Sequence, residues 1–297
     1  PKLDFADGLP ADHRTIVVVP GLVASTGDVD SLLRQLQEHH ARNPDPALAF
    51  AVLGDFADAP AASMPEDDDL LTHAERALDV LNRDTPGSPF LFLHRRRLWN
   101  ESEGVWMGWE RKRGKLHEFN RLLLGEPETS YVLIAGDRTR LSGIGYVITL
   151  DADTVLPPDG ARRLIGTLAH PLNRPVFDAQ GRVAAGYTVL QPRVQIDPES
   201  AGRSRYTRVF AGDTTVDLYS LAVSDAYQDL FGAGMYVGKG IYDVAAFERG
   251  LAGRVPENTL LSHDLFEGMH GRAGLVTDVT VYEDYPPNYL VGLLRTH

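Results

Sequence analysis

The sequence predicts an α/β fold with a mostly parallel central sheet and helices on both faces. In the first half of the 297-residue chain, apolar runs rich in Val, Ile, Leu and Phe alternate with stretches whose apolar residues recur at helical spacing. Parallel neighbouring strands need a crossover connection, and a helix is the usual one. Continuously apolar runs are typical of strands that are covered on both faces.

The predicted elements follow one another in order. Strands are predicted at 15–19 (ended by Pro20-Gly21), 48–60 (with its apolar run ending at Asp55 and Asp58), 89–97, 130–137 and 145–150, with helices at 28–43, 66–84 and 110–125. The second half is less regular and predicts a strand at 182–196, a helix at 243–250, a helix from near Ser262 to near Gly274, and a strand at 274–287. We interpret residues 1–297 as one domain, with a nucleotide-binding half at 1–154 and an acceptor and catalytic half at 155–297.

Composition narrows the function classes. The net charge of -12 argues against free nucleic acid as a partner, and the absence of cysteine excludes disulfides and thiolate chemistry. No apolar run approaches the ~18 residues of a spanning helix. The sequence begins at Pro1 and ends at His297 inside a predicted helix. We therefore expect a piece of a larger membrane protein, with the membrane segments outside it.

Acidic side chains follow three of the predicted strands: Asp55 and Asp58, Asp137, and Asp151 with Asp153. Ligands of open parallel sheets bind at the carboxyl ends of the strands. Singly, such residues are often turn formers or helix caps, and we favour that interpretation for Asp58 and Asp137. The pair at 151 and 153 instead favours a hard divalent cation, Mg²⁺ or Mn²⁺, held against phosphates.

The same "DADTVL" segment also fits a haloacid-dehalogenase-type phosphatase, with Asp151 as nucleophile and Mg²⁺ bridging the pair. That motif usually lies on the first strand of its domain, whereas here at least four predicted strands precede it. The phosphatase is therefore the alternative hypothesis.

Two further segments carry candidate chemistry. Residues 94–115 hold eight basic side chains and all three tryptophans, which predicts either a solvated helix with core aromatics or a basic wall and a stacking platform. In "LLSHDLFEG", Asp264 and Glu267 share a helix face, so either carboxylate is a candidate general base, or the segment is simply a capping box opened by Ser262. Spacing does not choose between them.

Several motifs occur in one order over nearly the whole chain: "VLGDFADAP", "ERKRGKLHEFN", "LDADTVLP", "GKGIYD", "LSHDLFEG" and "YEDYP". In this order they resemble the glucosyltransferase domain of bacterial cyclic β-1,2-glucan synthases and, more distantly, processive family-2 glycosyltransferases of the cellulose-synthase type. The resemblance implies a GT-A fold and an inverting transfer of glucose from UDP-glucose to the 2-hydroxyl of a growing β-1,2-glucan. It also implies Mg²⁺ or Mn²⁺ as cofactor.

The resemblance assigns roles to individual residues. Asp55 matches the acidic residue that contacts the nucleoside, and Lys112 matches a lysine near the uridine and diphosphate. Asp151 and Asp153 match the DxD pair, with Asp153 the more direct metal ligand. Asp264 matches the catalytic base, so the resemblance favours it over its neighbour at 267. The family places this domain on the cytoplasmic face of the bacterial inner membrane, beside membrane and cyclising regions.

One departure limits what this segment is expected to do alone. In the resembled enzymes a (Q/R)xxRW motif follows "YEDYP", but this sequence stops at "LLRTH". We expect donor binding to survive and polymer synthesis to need the missing motif. Besides the transferase and the phosphatase, a third hypothesis is a non-catalytic module that keeps the fold for regulation or assembly.

Overall fold

The computed structural model of the protein describes residues 1–126, 128–202, 204, 207, 226–255 and 263–284. Its strands, in chain order, are β1 (Thr15–Val23), β2 (Leu48–Phe56), β3 (Phe90–Arg95), β4 (Leu98–Asn100), β5 (Val105–Met107), β6 (Tyr131–Ala135), β7 (Tyr146–Thr149), β8 (Thr154–Val155), β9 (Val176–Phe177), β10 (Val183–Ala185), β11 (Val189–Ile196), β12 (Gly240–Asp243) and β13 (Ala273–Glu283). Its α-helices are α1 (Thr26–Arg42), α2 (Asp67–Asp84), α3 (Arg111–Leu123), α4 (Gly160–Leu168), α5 (Pro198–Gly202), α6 (Ala226–Phe231), α7 (Val244–Leu251) and α8 (Asp264–Gly271). Short 3₁₀ turns lie at Ala11–His13, Arg138–Leu141 and Pro171–Asn173.

The described strands build one nine-stranded sheet in the order β6-β3-β2-β1-β7-β12-β11-β13-β8, plus two small two-stranded sheets, β4-β5 and β9-β10. The pairings of β3, β2, β1 and β7 are all parallel, and β11 pairs in parallel with β13. Only β6, β12 and β8 run against the common direction. The expected α/β class with a mostly parallel central sheet is thus confirmed.

Helices cover both faces of the sheet, as the alternating elements predicted. Because strand side chains alternate between faces, Val17 and Phe50 enter one apolar cluster, with α1, α2 and α4, while Val18 and Ala51 enter the other. The second cluster also takes Phe119 of α3 and the buried residues of α7. The two-sided burial explains why β2 and β3 are apolar along nearly their whole length.

The first strand continues through Pro20-Gly21 to Val23, so the prediction that it ends there was wrong. On one side β1 stays paired with β2 as far as Val23, but β7 pairs with it only as far as Val18. Since Val18 accepts a hydrogen bond from the β7 side, the nitrogen of Pro20, two residues on, faces that same, already open side. The missing N–H therefore removes no ladder hydrogen bond.

Three other features of the structure differ from the sequence-based predictions. The strand at 131–135 joins the sheet antiparallel to β3, so the alternation in the first half does not extend to the sheet edge. The strand predicted at 182–196 is two strands, interrupted at Gly186, which has a φ of 69°. The last helix spans Asp264–Gly271, and the residue that caps its end, Arg272, adopts a left-handed conformation. The expected N-terminal cap, Ser262, lies outside the described residues.

No helix in the described part of the chain is both long and apolar enough to span a lipid bilayer.

Candidate functional site

The candidate site lies at the carboxyl ends of the parallel strands β1, β2, β3 and β7. Asp55 lies near the end of β2, Arg95 ends β3, and Asp151 follows β7. Parallel strands bring these ends to one edge, where α3 and the glycine-rich segment before β12 also arrive. Open α/β sheets bind ligands at this edge.

Asp55 is the centre of a buried ion-pair network. Its two carboxylate oxygens accept hydrogen bonds from Arg95 Nε at 2.7 Å and Nη2 at 2.8 Å, and Lys115 Nζ lies 3.1 Å from Oδ2. Asp55 is 5% exposed and Arg95 is fully buried. Burial alone would raise the pKa of Asp55, but Lys115 and Arg95 outweigh it and hold that pKa below its usual range. Both oxygens of the residue expected at the nucleoside thus already bind cations.

Arg95 also fixes the start of α3. Its guanidinium donates to the backbone carbonyls of Trp109 and Arg111, at 3.0 and 3.1 Å. The backbone between these contacts is unusual, since Glu110 and Arg111 have φ values of 50° and 47°. Such left-handed conformations are strained in non-glycine residues and persist where the surroundings hold them. Arg95 therefore holds the turn from which Lys112 projects.

Lys112 and Asp151 meet in the structure. Lys112 Nζ lies 2.5 Å from Asp151 Oδ1 and donates to the carbonyl of Gly238 at 3.0 Å. Lys239 Nζ lies 3.1 Å from the other oxygen of Asp151 and also pairs with Glu283. Burial would raise the pKa of Asp151, but the two lysines outweigh it and lower that pKa. Asp151 thus carries its charge between two ammonium groups.

Asp153 lies in the turn that follows β7, and its side chain is partly exposed. Gln35 of α1 holds this turn by donating to the carbonyls of Asp151, at 3.2 Å, and Thr154, at 3.3 Å. Among the described residues, no group of three or more His, Cys, Asp and Glu side chains could hold a metal. Two carboxylates fit a Mg²⁺ or Mn²⁺ ion that is completed by substrate phosphates and water, rather than an all-protein cage.

Asp264 is the first residue of α8 and reaches the same place from the opposite side. A Cβ at Gly238, whose φ is 78°, would lie 2.6 Å from both Asp264 carboxylate oxygens. Only glycine therefore lets this carboxylate lie against the chain beside Lys239. Burial, reinforced by Asp151, raises the pKa of Asp264 against the opposing effect of Lys112. A raised pKa makes this carboxylate a better proton acceptor.

The basic segment at residues 94–115 is neither simply a solvated helix with core aromatics nor simply a basic wall with a stacking platform. Most of its side chains are paired with acids: Arg95 with Asp55 and Glu118, Arg97 with Asp67, Arg111 with Asp58 and Glu103, and Arg113 with Glu110. Among the described residues 94–115, the cation that contacts the pair formed by Asp151 and Asp153 is Lys112, through Asp151. Trp99 is 53% exposed and contacts Trp106 across the β4-β5 hairpin, while Trp109 lines a cavity behind α8.

Sequence reasoning missed two residues of this region, Lys239 and Glu283. In the sequence, Lys239 and Glu283 appear only within the motifs "GKGIYD" and "YEDYP", and neither was assigned a role. The structure places Lys239 on Asp151, and Glu283 on Lys239. Glu267 was a rival to Asp264, and it is instead buried one turn behind it. A charged residue inside a glycine-rich segment, as at 239, was the available indication.

The structure is that of an α/β protein with a charged candidate site at the carboxyl edge of a mostly parallel sheet. The chain is similar to the cyclic beta-(1,2)-glucan synthase NdvB of Rhizobium meliloti (strain 1021), with 46% identity over 299 residues. This match covers 99% of the chain and confirms the resemblance drawn from the motifs. The chain spans 10%, about a tenth, of the length of that curated relative.

No protein-family model matches the chain. Among solved structures it is similar to S. aureus TarS 1-349, with 11% identity and a TM-score of 0.42, over 91% of this chain and 60% of that chain. That likeness is too weak to assign a fold or a function.

Proposed function

We propose that this chain is the glucosyltransferase domain, of the GT-A type, of a cyclic β-1,2-glucan synthase. In this proposal it is an inverting enzyme that transfers glucose from UDP-glucose to the 2-hydroxyl of a growing β-1,2-glucan. The observation that carries the proposal is the meeting of Lys112, Asp151 and Asp264 around Gly238, with 46% identity to NdvB as independent support. These three residues come from distant parts of the sequence.

The geometry supports a division of roles. Lys112 and Lys239 converge on Asp151, so a diphosphate bound there meets two ammonium groups that favour its charge. Asp153 and Asp151 are the protein ligands for Mg²⁺ or Mn²⁺, which when bound neutralises the leaving diphosphate. Asp55, held by Arg95 and Lys115, supports the nucleoside side of the site.

Asp264 is the proposed general base. It takes the proton of the acceptor 2-hydroxyl as that oxygen bonds to the anomeric carbon, on the face opposite the diphosphate. The bond between the anomeric carbon and the phosphate oxygen breaks, and UDP leaves. The raised pKa of Asp264, caused first by burial, suits proton acceptance at neutral pH.

The phosphatase alternative needs Asp151 as an attacking nucleophile. Each of its oxygens lies against a lysine ammonium, at 2.5 and 3.1 Å, and such pairing lowers the nucleophilicity of a carboxylate. The contacts therefore favour a binding role for Asp151. In the proposal, the whole protein carries this domain on the cytoplasmic face of the bacterial inner membrane, next to its membrane and cyclising regions.

The test is Asp264→Asn in the full-length protein, with Asp69→Asn on the exposed face of α2 as the matched control. We expect glucose transfer to fall by roughly 10²- to 10⁴-fold while UDP binding is retained. The control keeps both. Normal turnover in Asp264→Asn would show that another group accepts the proton. Loss of UDP binding in the same variant would instead show that Asp264 supports the donor site.

A further inference from the structure

A cavity of about 160 Å³ lies behind the proposed catalytic base, between α3, α7, α8 and β12. Its lining includes Trp109, Tyr236, Glu248 and Glu267. This volume corresponds to about five water molecules at ~30 Å³ each, which is the space of one sugar ring and too little for a nucleotide. The cavity therefore accepts a small ligand or a single unit of a larger one.

Glu267 is a buried carboxyl that lines this cavity and has no hydrogen-bond partner among the residues that the structure describes. The residue is 8% exposed. A buried polar group that lacks a partner destabilises the fold, so it indicates a ligand when it faces a cavity. Burial, reinforced by Asp264, raises the pKa of Glu267 to about 8. At neutral pH the group is a neutral acid that can both donate and accept a hydrogen bond.

The other polar groups of the cavity are held in place. Glu248 accepts hydrogen bonds from His117 Nδ1 at 2.8 Å and Asn120 Nδ2 at 2.7 Å. Asn120 in turn accepts from the Tyr242 hydroxyl at 2.8 Å. Preorganised acceptors, a neutral acid and an indole ring suit a neutral polyhydroxylated ring, because hydroxyls pair with the polar groups and the C–H face packs on the aromatic.

The position of the cavity connects it to the proposed reaction. Glu267 lies three residues after Asp264 on α8, so both side chains lie on the same helix face, about 4.5 Å apart along its axis. A ring in the cavity is thus a neighbour of the ring whose hydroxyl faces Asp264. The donor groups Lys112 and Asp151 lie on the other side of Asp264, against Gly238.

We propose that this cavity is an acceptor subsite that binds one glucosyl unit of the β-1,2-glucan, next to the unit that is extended. The proposal rests on the proposed function, because the identity of the sugar comes from it. The cavity itself selects a neutral sugar ring through Glu267, Glu248 and Trp109. None of these residues takes part in the proposed bond-making step.

The experiment measures binding of the β-1,2-linked glucose disaccharide, sophorose, to this chain by saturation-transfer NMR, alongside calorimetric titration with UDP-glucose and Mn²⁺. Two variants are compared with the wild type. Glu267→Leu keeps the volume and removes the polar group, whereas Glu267→Gln keeps a donor and an acceptor. Because Glu267→Leu removes an unpaired buried carboxyl, we expect it to fold.

We expect sophorose binding to weaken roughly ten-fold or more in Glu267→Leu and to stay within about three-fold of wild type in Glu267→Gln, with UDP-glucose affinity unchanged in both. Equal sophorose affinity in wild type and Glu267→Leu overturns the proposal, as does a wild type that binds UDP-glucose but not the disaccharide. Sophorose binding that depends on Glu267, without UDP-glucose binding, would leave the subsite standing and contradict the proposed function.

Discussion

The titration of Glu267 should be measurable as a change in the stability of the fold. In the unfolded chain this carboxyl titrates near its ordinary pKa of 4.5, and in the folded protein burial and Asp264 raise the pKa to about 8. Between these values the folded protein retains a proton that the unfolded chain has released. The free energy of unfolding contributed by Glu267 therefore falls as pH rises through this window, and the loss is complete above about 8.

The size of the effect follows from the two pKa values. At roughly 1.4 kcal/mol for each pH unit, a carboxyl whose pKa moves from 4.5 to about 8 costs about 5 kcal/mol once it is ionised in the fold. A domain has a total stability of about 5–15 kcal/mol, so the effect is a large fraction of it. Among the neighbouring charges, Asp264 and Glu248 of α7 raise the pKa of Glu267, while Arg113 and Lys112 of α3 lower it.

Urea unfolding of the wild type and Glu267→Gln, followed by tryptophan fluorescence from pH 5 to 9, tests this reasoning. Because glutamine cannot ionise, subtracting the unfolding free energies of the two proteins cancels the contributions of all other titrating groups. We expect the variant to gain several kcal/mol relative to wild type between the ends of this range. A difference that stays constant within about 1 kcal/mol would refute the assignment of a buried, unpartnered acid. In an Asp264→Asn background the pH dependence should shrink.

Two further changes test the structural basis of the site. Replacing Arg95 by Met leaves Asp55 and Glu118 buried without their shared cation, and we expect a loss of about 3–5 kcal/mol in chemical unfolding; a loss below about 1 kcal/mol would contradict the network. Replacing Gly238 by Ala puts a methyl 2.6 Å from both oxygens of Asp264 at a φ of 78°. Transfer by the full-length protein should then fall by about 100-fold, and unchanged turnover would show that Asp264 does not need this contact.

Each sequence pattern predicts only those features of the fold on which the pattern itself depends. Alternating strands and helices predicted the parallel block β3-β2-β1-β7, because that pattern reflects local burial and crossover length. It could not predict that β6 joins the edge antiparallel, since an apolar strand has the same composition in either direction. The continuation of β1 past Pro20 was also hidden, because it depends on where β7 stops.

The candidate site shows the same division. The acidic ends of strands are visible as motifs, and the structure brings Asp151, Lys112 and Asp264 close together. Their roles in binding and catalysis remain predictions. The pairing of Lys239 with Asp151 and the burial of Glu267 depend on contacts between segments far apart in sequence, which no spacing encodes. For that reason the cavity behind α8 had no counterpart in the sequence motifs.

The most direct test of the central claim is calorimetric titration of UDP-glucose into this chain, with Mn²⁺ and with EDTA, for wild type and Asp153→Ala. The account predicts binding with Mn²⁺ that is lost or strongly weakened by EDTA and by Asp153→Ala. Binding that is equally tight with EDTA would show that Lys112 and Lys239 alone carry the diphosphate. An absence of binding, both in this chain and in a longer one that extends past His297, would contradict the transferase assignment.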